Sequence, residues 1–490
     1  MKDGTDGLIM REFDKSEPIH FLGIGGVGVS GVARVLHQRG YRVQGSDVRQ
    51  SSITDALAEE GMDVTIGHDR DNVEGAQLVV VSTAIPDDNI ELLEAKERDI
   101  PVVHRSEILA RLIDDYRTIG VTGTHGKGTV SSMIAWILEC AGEQPGFVIG
   151  GMLDNFETNA RDAGGEWMVV EVDESDGSHL NIKTDYVVCN FLELDHLNYY
   201  DGLDDIIDEM LDYLESNERL KEAFLNLDCD GNRRLCERVA LRPTGYAVEH
   251  RAEFRGELLG PGQLPIEFEA FHREESLGEC ELNLPGRYNV VNAMGAIAVC
   301  RRIGVEMDAI VEGLATYEGM ENRFTIASGG GVTIVKDYVS HPTGMRKVLQ
   351  SARDLVDGRI ISVFKPYRYT LIKYLQHEYG EAFEGSDEVI ITKMYAADED
   401  PIPGIDTHTI VDRIRENDLT CTYIEDQNDI NDYLHEIVRP GDKVVFFGGD
   451  DFFRMADDFL AEVTQRAQRS EPTPEAPKVS SPFDDGPDDE

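Results

Sequence analysis

Two glycine-rich loops, each at the point where an apolar run gives way to a helical pattern, restrict this chain more than any other feature. The first, HFLGIGGVGVSG, covers residues 20–31, and the second, GVTGTHGKGTV, covers 120–130. A strand that ends in glycines and opens directly into a helix is the repeating unit of parallel α/β sheets. Short apolar runs (YRVQGSD, AQLVVVSTA and IPVVH, then WMVVEVD, YVVCNFL and AFLNLD) recur with helical filler between them, which predicts βαβ units. Residues 251–283 instead alternate apolar and polar positions and predict an antiparallel excursion; after Asn322 the parallel pattern restarts with TIVKDYV, RIISVFK, DEVIITK and KVVFFGG. The expected fold class is α/β in three domains: an N-terminal Rossmann-like unit at 17–115, a central P-loop ATPase-like unit at 116–322 and a C-terminal Rossmann-like unit at 323–468. Residues 469–490, rich in Pro, Ser and acids, bury no core and are expected to be a disordered acidic tail.

Length agrees with this division, since 490 residues exceed one ordinary domain. The formal net charge is −48, and the last twenty residues, with seven acids and one lysine, explain little of it. Acidity is therefore spread over the whole surface, and of the 46 basic residues only 13 are lysine. This is the composition of a halophilic protein kept soluble in concentrated salt, and its field would repel phosphate backbones and anionic lipid. Neither nucleic acid nor membrane is an expected partner. Seven cysteines without a CxxC pair, no apolar h-region at the N-terminus and no apolar run of about 18 residues point to a reduced, cytoplasmic protein.

The first loop brings Gly25, Gly26, Gly28 and Ser30 to a helix N-terminus, where backbone N–H groups and the helix dipole favour a diphosphate. Asp47 follows at the end of the next strand, where an acid accepts from a nucleotide hydroxyl. By itself this loop also fits a nicotinamide-dependent dehydrogenase. The second loop changes that balance. Gly123, Thr124, His125, Gly126, Lys127, Gly128 and Thr129 form a phosphate loop in which the lysine neutralises β/γ-phosphate oxygens and a hydroxyl completes a Mg²⁺ shell. Glu171, Asp173, Glu174 and Asp176, and then Glu193, Asp195 and His196, stand where two further strands end. Such oxygen ligands with one imidazole suit a hard divalent cation beside a triphosphate.

Taken in order, GTHGKGT, VVEVDESD, NFLELDHL, LPGRYNVVNA, NRF and KDYVSHP resemble the Mur ligase family from about Ile19 to Leu460. The resemblance implies a three-domain, ATP-dependent, amide-forming ligase of small-molecule substrates: a UDP-linked sugar acid, an amino acid and ATP. HFLGIGGVGVSG, GSD, VSTAIP, FETNAR and MYAADEDPIPG are most similar to the branch that joins L-alanine to the carboxylate of UDP-N-acetylmuramate, a step in peptidoglycan precursor synthesis. Carried over by position, Lys127 and Thr129 would bind ATP phosphates and Mg²⁺, Glu171 and His196 a second Mg²⁺, and Asn289 and Asn292 the adenine side. Arg323 and Asp337 would close onto the nucleotide, with Tyr338, His341 and Arg368 near the amino acid. The N-terminal Gly25, Gly26, Gly28, Ser30 and Asp47 would hold the UDP portion. Lys127, Glu171, His196, Arg323 and Asp337 form the expected catalytic set.

Four places depart from the family pattern: GKGT stands for GKTT, Tyr288 for a histidine in PGRHN, KDYVSHP for DDYGHHP, and GGDDFFRM for a GAGDI-type ending. They cluster near ATP and the amine. Two further readings therefore stay open, a ligase of this kind acting on another carboxylate in a chain of archaeal origin, and a nucleotide-binding protein of this fold without catalysis.

Overall fold

The computed structural model describes residues 13–470 apart from 198, 261–263, 356–357 and 398. Its first sheet contains β1 (Ile19–Leu22), β2 (Val43–Asp47), β3 (Asp63–Ile66), β4 (Leu78–Val81) and β5 (Val102–His104) in the order 3-2-1-4-5, with every pairing parallel. The order reverses at β1, which is buried throughout, and β1 delivers the first glycine loop at this switch point.

The second sheet has ten strands. They are β6 (Arg117–Thr122), β7 (Gly146–Leu153), β8 (Thr158–Arg161), β9 (Trp167–Glu171), β10 (Tyr186–Cys189), β11 (Glu222–Asn226), β12 (Thr244–Ala247), β13 (Phe254–Leu258), β14 (Ile266–His272) and β15 (Glu275–Leu282). The order is 15-14-13-12-11-10-6-9-7-8. At one end β13, β14 and β15 are antiparallel, as the alternation at 251–283 predicts. At the other end β7 and β8 form an antiparallel hairpin that the sequence reading did not anticipate. Its segment GFVIGGMLDNFETNAR has no clean period of two, because Gly150 and Gly151 interrupt the strand and the register shifts there.

This hairpin is what the first domain rests on. The helix Val27–Gln38 lies against β7 and β8, and a Cβ at Gly31 would come within 3.1 Å of Val148 and 3.4 Å of Asn159. The buried Arg34 lies on the same helix; it donates to Glu60 in its own domain and to Asn159 Oδ1 across the junction.

The third sheet contains β16 (Thr325–Gly329), β17 (Val332–Asp337), β18 (Ile360–Phe364), β19 (Glu388–Thr392), β20 (Cys421–Ile424) and β21 (Lys443–Phe447) in the order 16-17-21-18-19-20. Only the edge pair β16–β17 is antiparallel. Alternation along β21 places Val445 and Phe447 in one apolar layer and Val444 and Phe446 in the other, so both faces are covered by helices. The last helix runs Asp450–Ser470, two residues into the expected tail; the remainder of that tail lies outside the described residues. All seven cysteines are free, and among the described residues no helix is long and apolar enough to cross a membrane.

Candidate active site

β6 is the central strand from which the second glycine loop emerges, and the helix Lys127–Cys140 begins at Gly126. Gly126 has φ 76°, a left-handed conformation that a side chain strains to adopt. Space is closed as well: a Cβ there would collide with Asn190 Nδ2 and lie 2.8 Å from Asn292 Oδ1. Behind the loop runs a buried chain of amides. Asn190 donates to the His125 carbonyl (3.0 Å) and to Asn292 Oδ1 (2.8 Å), Asn292 donates to Asn289 Oδ1 (2.9 Å), and Asn289 donates to the Pro285 carbonyl (2.7 Å). Tyr246 closes the set by donating to Asn190 Oδ1 at 2.9 Å. Asn289 and Asn292 thus line the cleft while their amides brace the phosphate loop, a support role that motif position alone does not reveal. Asn190, the centre of this chain, was missed by the sequence reading; its position directly after the apolar end of β10 was the available signal.

A cleft between the second and third domains collects most of the expected residues. Thr124 to Thr129 form one wall, with Glu171, Asn289 and Asn292 beside them. Arg323, Asp337, Tyr338 and His341 enter from the third domain, and Lys347 joins them although no motif pointed to it. Arg323 sits between Asn322 (φ 58°) and Phe324 (φ 51°), two non-glycine residues in left-handed conformation at the joint between domains. Asp337 is buried and accepts the Phe324 N–H (3.0 Å) and the Val339 N–H (2.8 Å), so it pins the strand end that carries Tyr338. Burial raises its carboxyl above the usual range, against the pull of Arg323.

Charge in the cleft is arranged around Lys127. Its Nζ lies 3.0 Å from Glu174 Oε1 and 3.7 Å from Asp173 Oδ1. Burial alone would lower the ammonium's pKa, and the carboxylates of Glu174, Asp173 and Glu171 more than offset it, so the shift is upward and the lysine stays charged. Burial acts upward on the fully buried Glu174, but Lys127 and His196 outweigh it and keep that carboxyl below its ordinary range. For Glu171 burial dominates and the shift is upward; its Oε2 accepts the Gly150 N–H at 2.9 Å. A part-buried carboxylate whose desolvation is not fully offset by Lys127 and Arg323 is the kind of oxygen donor a divalent cation satisfies.

Of the three expected metal ligands, Thr129 and Glu171 line the cleft. His196 does not: at φ 52° it turns its Nε2 to within 3.2 Å of Glu174 and groups with Glu174 and Asp173. A second cluster, His125, Glu193 and His341, has the donor types of a metal site. Both nitrogens of His341 are already committed, however, Nε2 donating to the Leu194 carbonyl (3.0 Å) and Nδ1 accepting the Thr343 N–H (3.3 Å).

The first domain contributes separately. Asp47 Oδ2 accepts the Gly25 N–H at 3.0 Å and Oδ1 the Arg49 N–H at 3.1 Å, so this acid shapes the glycine loop itself. Gly26 is the N-cap of the helix, and Gly28 faces the Arg105 guanidinium, which in turn lies 3.8 Å from Asp173. Ser30 departs from expectation: it is fully buried, with its hydroxyl donating to the Val27 carbonyl and accepting from Asn159, because the helix turns that face to the domain junction rather than to the loop mouth. Arg368 also lies outside the cleft, at φ 63° ahead of the helix Tyr369–Ala382, with its N–H donated to the Tyr395 carbonyl.

Comparison with known proteins assigns each part of this architecture. Residues 18–117 match the Mur ligase family catalytic domain, 121–300 the Mur ligase middle domain, and 322–449 the Mur ligase glutamate ligase domain. The chain is 37% identical over 455 residues to the UDP-N-acetylmuramate–L-alanine ligase of Geotalea daltonii, covering 92% of this chain and 99% of that protein. It is 39% identical over 444 residues to the protein of the same name from Syntrophus aciditrophicus, covering 90% and 92%. In three dimensions it resembles the UDP-N-acetylmuramate-alanine ligase of Thermotoga maritima with a TM-score of 0.78 at 23% identity, over 93% of this chain and 100% of that one. Three consecutive domain matches and identity along nine-tenths of its length place this chain in the Mur ligase family.

Proposed function

We propose that this protein is an ATP-dependent ligase that joins L-alanine to the carboxylate of UDP-N-acetylmuramate through an acyl phosphate, in peptidoglycan precursor synthesis. The observation that carries the reading is the cleft in which Lys127 and the phosphate loop face Arg323 and Asp337 of the third domain, in a chain whose full-length relatives bear that activity in their names. Residues 17–115 would hold the UDP portion, 116–322 the ATP and 323–468 the amino acid. Tyr338 and His341, which line the cleft, are assigned to the amine side, and Arg368, outside it, is not.

A carboxylate is a poor electrophile, so its oxygen attacks the γ-phosphorus of ATP, ADP leaves, and the amine displaces phosphate from the resulting acyl phosphate. Lys127 stabilises charge on the transferring phosphoryl group from a position at the cleft wall fixed by Glu174. Thr129 and Glu171, which line the cleft, would hold Mg²⁺, which neutralises phosphate charge when bound, while His196 stays paired with Glu174. Two anionic reactants meet here, and Arg323, brought in by the third domain, offsets their repulsion while closure excludes water.

Phosphate release from ATP tests the proposal directly, in molar KCl with Mg²⁺ and with UDP-N-acetylmuramate alone or with alanine, glycine or serine. Release that requires both the muramate and alanine supports it. Release with a different acid and not with the muramate would reassign the substrate.

A further inference from the structure

The segment Phe191–Asp195, which leaves the end of β10, is bonded to two domains at once. On the phosphate-loop side, the Thr124 N–H donates to the Phe191 carbonyl (2.7 Å) and the Glu193 N–H donates to Thr124 Oγ1 (3.1 Å). The Glu193 carboxylate lies 3.3 Å from His125 Nε2, and neither of those buried atoms finds a hydrogen-bond partner elsewhere. On the third-domain side, His341 Nε2 donates to the Leu194 carbonyl, the Leu194 side chain packs against the third domain's core, and Lys347 Nζ sits 4.2 Å over the Phe191 ring. The two sides meet directly where the rings of His125 and His341 stand 4.9 Å apart.

We propose that Glu193 is a positioning residue that makes the seating of the third domain and the setting of the phosphate loop a single event. Its carboxylate holds the His125 ring in the place where the ring also supports His341. The backbone on either side of Glu193 is shared between Thr124 and His341, so displacing either partner displaces the other. Without that carboxylate the backbone links to Thr124 and His341 remain, but the His125 ring loses its support against His341, and the coupling between the loop and the third domain weakens. The inference rests on the proposed ligase reading for its kinetic part, and a second measurement is independent of turnover.

The variants are Glu193→Ala, Glu193→Gln, which keeps an acceptor for His125, and Glu193→Asp, which keeps the charge but retracts it. The expected kinetic result is a kcat at least tenfold lower in E193A, a KM for ATP within about threefold of wild type, and recovery in E193Q. A prop that serves only local stability would change KM and kcat together and would not separate Ala from Gln. Amide hydrogen exchange on the full chain with ADP is the second readout. In E193A, and to a smaller degree in E193D should E193A not fold, exchange is expected to quicken both at 123–126 and at 341–347. Unchanged exchange at 341–347 in both variants, or kcat in E193A equal to wild type in an enzyme that turns over, overturns the proposal. If no substrate pair supports turnover, the ligase reading fails while the exchange result still decides this one.

Discussion

Substituting Gly126 by alanine isolates what the phosphate loop demands of its backbone. A left-handed φ of 76° costs a residue with a Cβ about 1–2 kcal/mol. The new methyl also occupies the place of the Asn190 amide, which must withdraw from the His125 carbonyl and from Asn292. Leaving a buried polar group unpaired costs about 1–3 kcal/mol, so the total is roughly 2–5 kcal/mol. Both tryptophans, Trp136 and Trp167, lie in the second domain, so their fluorescence reports its unfolding selectively. With a urea slope of about 3 kcal/mol per molar, the midpoint should fall by roughly 0.7–1.7 M, and ATP binding should be lost even where the domain is folded. Gly128→Ala is the control. Its Cβ would meet mainly the flexible end of Met320 at 3.0 Å, at a helical position where alanine is favoured, so its midpoint should stay within about 0.3 M of wild type, or 1 kcal/mol at the same slope. Equal midpoints for G126A and G128A, or wild-type ATP affinity in G126A, would refute the argument that Asn190 and the left-handed turn define this loop.

Glu91, wholly buried in the first domain, accepts from Ser46 (2.6 Å) and Asn72 (2.7 Å) and lies 2.8 Å from His20 Nε2. Burial pushes its carboxyl up, but the bonds from His20, Ser46 and Asn72 win and hold it from an ordinary 4.5 down to about 2. A depressed carboxyl stabilises the fold above pH 4.5 and loses that contribution as pH falls toward 2, here about 3 kcal/mol at ~1.4 kcal/mol per pH unit; acid titration followed by circular dichroism should show a shallower loss in Glu91→Gln. Tyr246→Phe removes the hydroxyl on Asn190 and should lower stability by about 1–2 kcal/mol with an unchanged overall fold, as judged by calorimetry. With a net charge of −48, self-repulsion should weaken as the screening length falls from about 10 Å at 0.1 M salt to about 3 Å at 1 M. The thermal midpoint should therefore rise steadily with KCl over that range, and a flat response would remove the high-salt reading of the composition.

The sequence by itself determined the parts of this protein that depend on local pattern. Apolar runs alternating with helical filler foretold the parallel sheets, because buried strands and amphipathic helices have different periods. The alternation at 251–283 foretold the antiparallel end of the second sheet, and the glycines around Lys127 marked a loop at the strand-to-helix junction where the structure has one. What only the tertiary structure decided is which groups share a space. Asn289 and Asn292 brace the loop through Asn190, a residue about one hundred positions away in sequence, and Ser30 turns into a domain junction because its helix rests on a hairpin that shows no periodic signal. His196 pairs with Glu174 rather than Glu171 because a left-handed backbone at 196 redirects its ring. These outcomes depend on long-range packing and on the φ of single residues, neither of which leaves a repeating trace in the chain.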